Sequence, residues 1–276
     1  PPPVFFFHPQ DGIRPAQESR GLGDVYKRQV QTDPYPHVVI EEALPWDLYE
    51  KLEAEFPEKT LLATEPFDNG IFYRMKSDIL LQPTFESNIW REFANYHTSP
   101  EWFMEVYELF KPWLEDKPKL TSLLPNLKEN LGARGWAGKE INLWSDCQVV
   151  MHKPITEKTS RTAHIDNPME MFAGLLYMPY KNDTSTGGNF QIHSTKNNIR
   201  KVDMNGGRQV YAEDLGTVHT TVPNKRNTFV MFCNANPNTV HSVSNRINPT
   251  MYRRSVNIIA EFKRNYAKMY NVEEIR

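Results

Sequence analysis

Residues 162–168 read Thr-Ala-His-Ile-Asp-Asn-Pro. Side chains alternate along an extended segment, so His164 and Asp166 leave the chain on the same side. An imidazole and a carboxylate facing one way can grip a single cation, and a third donor must come from elsewhere in the chain. The best-placed candidate is His241, in Asn238-Thr-Val-His-Ser-Val243. Two neutral imidazoles and a carboxylate make a facial triad, which holds one side of a metal ion and leaves open positions on the other. His-x-Asp alone is a weak signal. A solitary histidine usually packs or faces water, and His8, His37, His97, His152, His193 and His219 are read that way.

Outward from this triplet, the chain downstream of Gly138 is a succession of short strand-like runs. They span 140–152, 172–178, 188–193, 208–212, 217–222, 228–233, 239–243 and 252–262, with turn residues between them. Upstream, 35–41 reads as a strand opened by Pro36, and Pro45 starts a helix in which Trp46, Tyr49, Leu52 and Phe56 recur at helical spacing. Further helices are expected over 86–97, over 100–115 with a kink or early end at Pro112, and over 119–132 with an interruption at Pro125. Helices followed by many short strands imply an α+β chain, mainly β with N-terminal helices packed on a sandwich or barrel.

Ten residues beyond His241 begins the run Met251-Tyr-Arg-Arg-Ser-Val-Asn-Ile-Ile-Ala-Glu-Phe262, which alternates cleanly and places Arg253 twelve residues on. Arg253, Ser255 and Asn257 share one face; Arg254, Val256 and Ile258 share the other. The first face suits a polar cavity, where an arginine can form a bidentate pair with a carboxylate. A bulge would exchange the roles of Arg253 and Arg254.

Together these segments resemble the 2-oxoglutarate/iron(II)-dependent oxygenases, on the prolyl-hydroxylase side. The likeness spans roughly 140–262: His164-Ile-Asp-Asn-Pro168, Phe172-Ala-Gly-Leu-Leu-Tyr177, Gly187-Gly188-Asn-Phe-Gln-Ile192, Thr228-Phe-Val-Met-Phe232 and Arg253-Arg-Ser255. The opening stretch from Tyr35 to Pro57 also resembles the N-terminal part of some bacterial and phage oxygenases of this type. The resemblance implies a double-stranded β-helix (jelly-roll, cupin-like) core. It implies Fe(II) on His164, Asp166 and His241, and 2-oxoglutarate clamped by Arg253 and Ser255 with help from Tyr177. It also implies O2 as oxidant, ascorbate as an optional reductant, and hydroxylation of a C–H bond as 2-oxoglutarate goes to succinate and CO2. Related halogenases lack the carboxylate, so Asp166 favours hydroxylation. The sequence departs from the pattern in having Met178-Pro179 after the tyrosine and Arg254 where an aromatic is common. The competing reading is a non-catalytic cupin-like protein that binds a metal or a carbohydrate.

Composition narrows the partners. Net charge is −2, and no basic stripe suggests nucleic acid. No apolar run is long enough to span a bilayer. Cys147 and Cys233 lie in apolar stretches and are expected as buried thiols, which together with the absence of a signal peptide suggests a cytoplasmic location. Residues 1–29 resemble a translated sequencing-adapter scar, or else an ordinary disordered tail. The expected organisation is then 30–138 as a helical support, 139–265 as the oxygenase core and 266–276 as a tail. The substrate is a small molecule or a peptide or protein side chain of unspecified kind; Arg161 and the loop Lys181–Thr186 are candidates for the mouth of the site, with a solvated loop the preferred reading of the latter.

Overall fold

The alternating run at the end of the chain becomes the strand Arg253–Phe262, near the middle of a seven-stranded sheet. The computed structural model describes residues 30–67, 70–135, 140–155, 161–196, 201–204, 207–210 and 214–270, so the expected tail at 1–29 lies outside the described residues. Across this sheet the order is His37–Glu41, Thr228–Cys233, Glu170–Tyr177, Arg253–Phe262, Leu143–His152 and Phe72–Met75, all antiparallel. Leu131–Ala133 joins Leu143–His152 in parallel. A second sheet runs Leu215–Val222, Phe190–Thr195, His241–Val243, His164–Ile165, Gly207–Val210 and Lys201–Met204.

Apart from the stretch Phe190–Val222, whose strands all stay in the small sheet, the chain alternates between the sheets. Leu143–His152 lies in the large one, His164–Ile165 in the small, Glu170–Tyr177 in the large, Phe190–Thr195 in the small, Thr228–Cys233 in the large, His241–Val243 in the small and Arg253–Phe262 in the large. This is the expected double-stranded β-helix. The sheets meet through an apolar cluster with Ala173, Tyr177, Val230 and Phe232 from one side and Phe190, Ile192 and Val222 from the other.

The opposite face of the large sheet carries the helices. Val149, Phe172, Leu176, Met231, Val256 and Ile258 form one core with Trp90, Phe93, Trp102, Phe103 and Phe110. The helices Asn88–His97 and Pro100–Leu109 begin where serines cap them: Ser87 accepts from the Trp90 amide at 3.3 Å, and Ser99 from the Trp102 amide at 3.2 Å. The second helix stops at Leu109 and resumes as Lys111–Leu114, because Pro112 has no N–H to continue the ladder. The helix expected over 119–132 is instead three short pieces, Pro118–Thr121, Leu124–Asn126 and Leu127–Asn130, ending in the strand Leu131–Ala133. Pro118 and Pro125 each restart the chain at the first turn of a piece. Both cysteines are free and buried, as expected. Among the described residues, no helix is long and apolar enough to cross a membrane.

Candidate metal centre

His164 and His241 are direct cross-strand partners in the small sheet, with ring centroids 4.3 Å apart. Asp166 follows the two-residue strand His164–Ile165 and turns its carboxylate between the two rings. His164 Nε2 lies 3.6 Å from Asp166 Oδ1, and His241 Nε2 lies 3.5 Å from Asp166 Oδ2. The three donor atoms lie within 4.8 Å of one another. Donors about 2.1 Å from one ion would stand roughly 3.0–3.4 Å apart, so a small contraction brings them onto a common cation.

The rings are aimed from behind. His164 Nδ1 is 2.6 Å from the Thr162 carbonyl, and His241 Nδ1 is 2.9 Å from the Thr239 carbonyl. Each ring thus donates Nδ1–H to the backbone two residues earlier and presents the Nε2 lone pair to the centre, the tautomer a metal needs. Phe190 stacks on His241 at 5.2 Å, and Phe232 packs on it at 4.6 Å. Burial pushes the His241 pKa down to about 3, so the ring is neutral at ordinary pH. Burial works against the Asp166 carboxylate as well, but the His241 and His164 rings, when protonated, and Arg161 outweigh it and hold its pKa below the usual carboxylate range. The Asp166 turn is pinned by Asn234, whose amide donates to the carbonyls of Asn167 (3.0 Å) and Glu170 (3.1 Å). Two imidazoles and one carboxylate converging on one point suit a divalent cation of intermediate hardness.

Arg253, Ser255 and Tyr177 also line the space between the sheets. Ser255 pairs with Tyr177 across the ladder, and the Arg253 guanidinium sits 5.2 Å over the Tyr177 ring. The Tyr177 hydroxyl donates to the Gly188 carbonyl at 3.2 Å. Arg253 is 3% exposed, yet its Nε has no partner, and neither has Ser255 Oγ. Arg253 borders a narrow cleft shared with His152, Gly188, Ser244 and Arg246. Gly187 and Gly188 take φ of +78° and +70°, and a Cβ at Gly187 would come within 1.9 Å of the Asn245 carbonyl oxygen. The glycine pair is therefore required by the approach of the neighbouring ribbon strand.

Arg254, the alternative to Arg253, points to the opposite face. Its Nε donates to the Met178 carbonyl at 3.0 Å, it reaches Glu53 at 3.5 Å, and it stacks on Tyr180 at 3.8 Å. It fastens the sheet to the helix Trp46–Ala54.

Three features of the site were not legible beforehand. His152, read as a packing or solvent-facing histidine, lies directly across from Arg253, and Arg253, Arg161 and Arg246 reinforce burial in lowering its pKa. Its strand alternation, in register with Arg253, was the available signal. Arg246 had no motif to mark it. The Lys181–Thr186 loop is not simply solvated, because Asp183 and Ser185 dock on Arg246 at 2.8 and 2.6 Å. An ion pair with a 4% exposed carboxylate draws that segment inward.

Neither a protein-family model nor a curated protein matches the sequence. Solved structures of similar shape include a prolyl-4-hydroxylase from Pseudomonas putida, at 13% identity and TM-score 0.48 over 87% of this chain and 100% of that one. The non-heme alpha-ketoglutarate-dependent epimerase SnoN from nogalamycin biosynthesis aligns at 12% identity and TM-score 0.49 over 88% and 81%. A prolyl hydroxylase from Trichoplax adhaerens, in complex with a hypoxia-inducible-factor peptide fragment, aligns at 10% identity and TM-score 0.45 over 90% and 94%. None of these likenesses gives a residue of this chain a role, and the site rests on its own geometry.

Proposed function

We propose that this chain is an Fe(II)- and 2-oxoglutarate-dependent oxygenase that hydroxylates a C–H bond of its substrate. The observation that carries the reading is a buried guanidinium, Arg253, on the large sheet, with the His164–Asp166–His241 triad on the small sheet that faces it. A buried guanidinium without an anion costs several kcal/mol, roughly, and a metal-binding module has no use for one. A chelating diacid supplies what is missing. One end completes the metal's coordination, and the far carboxylate meets Arg253, Ser255 and Tyr177.

His164, Asp166 and His241 would hold the iron, which when bound supplies the oxidising chemistry with O2, converting 2-oxoglutarate to succinate and CO2. The protein's own part is placement. The Thr162 and Thr239 carbonyls fix ring direction, and Phe190 and Phe232 exclude water behind His241. Arg253 fixes the co-substrate's direction along the sheet. The residues stay the same whether the product gains a hydroxyl or an inverted stereocentre; the carboxylate at Asp166 speaks only against halogenation.

The test is succinate release from 2-oxoglutarate by purified protein given Fe(II) and ascorbate. Iron-dependent succinate above the protein-free rate is expected even without substrate. Its absence, together with no metal-dependent binding of 2-oxoglutarate, would favour the metal- or carbohydrate-binding alternative.

A further inference from the structure

Toward the other end of the strand that begins at Arg253, the large sheet carries a pair of like charges. Glu261 and Glu170 are cross-strand partners on Arg253–Phe262 and Glu170–Tyr177. Two carboxylates directly opposite each other repel, and a nearby cation or a retained proton relieves the pair. Glu261 has one, because Arg134 Nη2 lies 2.6 Å from its Oε1. The same guanidinium lies 3.3 Å from Asp146, whose other oxygen receives the Ser77 amide and hydroxyl. Arg134 is therefore occupied. No group among the described residues hydrogen-bonds the Glu170 carboxylate.

Glu170 is also tied to the metal centre. One turn, Asn167 to Glu170, separates it from Asp166, closed by the Glu170 amide to the Asn167 carbonyl at 2.8 Å and pinned at both ends by Asn234. Burial, then the charges of Asp166 and Glu261, raise its pKa, and Arg134 and Arg161 offset this only in part. A second, independent vacancy lies on the same wall. Gln148 is 1% exposed and gives its amide N–H to Asp146 at 2.6 Å, yet its carbonyl oxygen has no donor. A buried amide oxygen and an uncompensated carboxylate both ask for N–H donors. A diacid such as 2-oxoglutarate carries none at neutral pH.

We propose that Glu170 is a substrate-binding residue that selects a cationic nitrogen group, an ammonium or guanidinium, and holds it one turn from the metal ligand Asp166. This rests on the oxygenase reading and names the substrate class for it. Gln148 accepts a further N–H from the same substrate deeper along the wall.

The probes are L-lysine and L-arginine, free and within short alanine-flanked peptides, each matched with its neutral counterpart, Nε-acetyl-lysine or citrulline. Binding is measured by calorimetry on the wild-type chain loaded with Mn(II) and 2-oxoglutarate, and on the chain alone. At least one cationic probe is expected to bind about tenfold or more tightly than its neutral partner. Glu170→Gln is expected to erase that preference, and Glu170→Asp to keep part of it, in proteins whose melting temperatures match wild type. Equal binding of charged and neutral partners, binding of no cationic probe, or an unchanged preference in Glu170→Gln would overturn the proposal. The wild-type comparison needs no variant to fold. Succinate release separates the two readings. Charge preference without iron-dependent succinate leaves Glu170 a cation site and removes the oxygenase. Iron-dependent succinate without charge preference does the reverse.

Discussion

The two faces of the seven-stranded sheet follow opposite rules, and neighbouring arginines show it. Arg254 faces the helices and is fully engaged, with a carbonyl, a carboxylate and an aromatic ring around it. Arg253, one residue earlier and equally hidden, faces the second sheet with an orphaned Nε and no carboxylate partner among the described residues. Buried histidines divide the same way. His97, on the helical side, tethers Nδ1 to the Phe93 carbonyl and packs its ring on Phe93 and Trp102. His164 and His241 use the same backbone tether, but their free nitrogens converge on a carboxylate. Burial alone therefore does not distinguish a structural polar group from a working one. What distinguishes them is what surrounds the group: aromatic rings at His97, converging donors at His164 and His241.

The strongest way to break this contrast is at the triad. His241→Ala should remove iron-dependent succinate release by at least about 100-fold and weaken Co(II) binding in titration, since a metal ligand should matter more than the 10–100-fold typical of outer-shell partners. Activity within a few-fold of wild type would place the metal elsewhere. Next come the arginines as a pair. Arg253→Met should raise the Kd for 2-oxoglutarate in the Mn(II)-loaded protein about 10–100-fold, the loss of one charge-assisted bidentate contact. Arg254→Met should leave that Kd within about twofold and lower stability in urea by about 2–3 kcal/mol, because it breaks a largely buried pair with Glu53. Reversed outcomes would exchange the two faces.

The smallest effect sharpens the comparison through pH. Burial lowers the His97 pKa to about 3, below its unfolded value near 6.5. Between these values the unfolded chain binds more protons, so stability falls as pH drops through that window. The contribution is about 2 kcal/mol by pH 5. Urea unfolding of His97→Phe between pH 7 and 5 should show a shallower loss than wild type, and parallel curves would deny His97 this role.

Much of the inner wall was legible because it uses the simplest code a chain has, alternation. His164 and Asp166, and Arg253 and Ser255, could be placed on shared faces from spacing alone, and the glycine pair and the strands around it followed from turn chemistry. What stayed hidden was set by contacts far apart in sequence. The partnership of Glu170 with Glu261 depends on a register shift between Ala260 and Glu261 that no local pattern announces. The docking of Asp183 on Arg246 joins residues 63 apart. The division of 119–132 into short pieces reflects Pro118 and Pro125 together with a strand, Leu131–Ala133, too short to read.

The strands bearing His164 and His241 are two and three residues long and meet at one residue pair. Backbone ladders of that length hold little by themselves. An ion shared between them would act as a cross-link at their single crossing point, so loading the protein would stiffen the small sheet as well as arm it. Starved of metal, the chain would loosen first where its chemistry is housed, and iron supply would set the lifetime of the fold there as much as the rate of turnover.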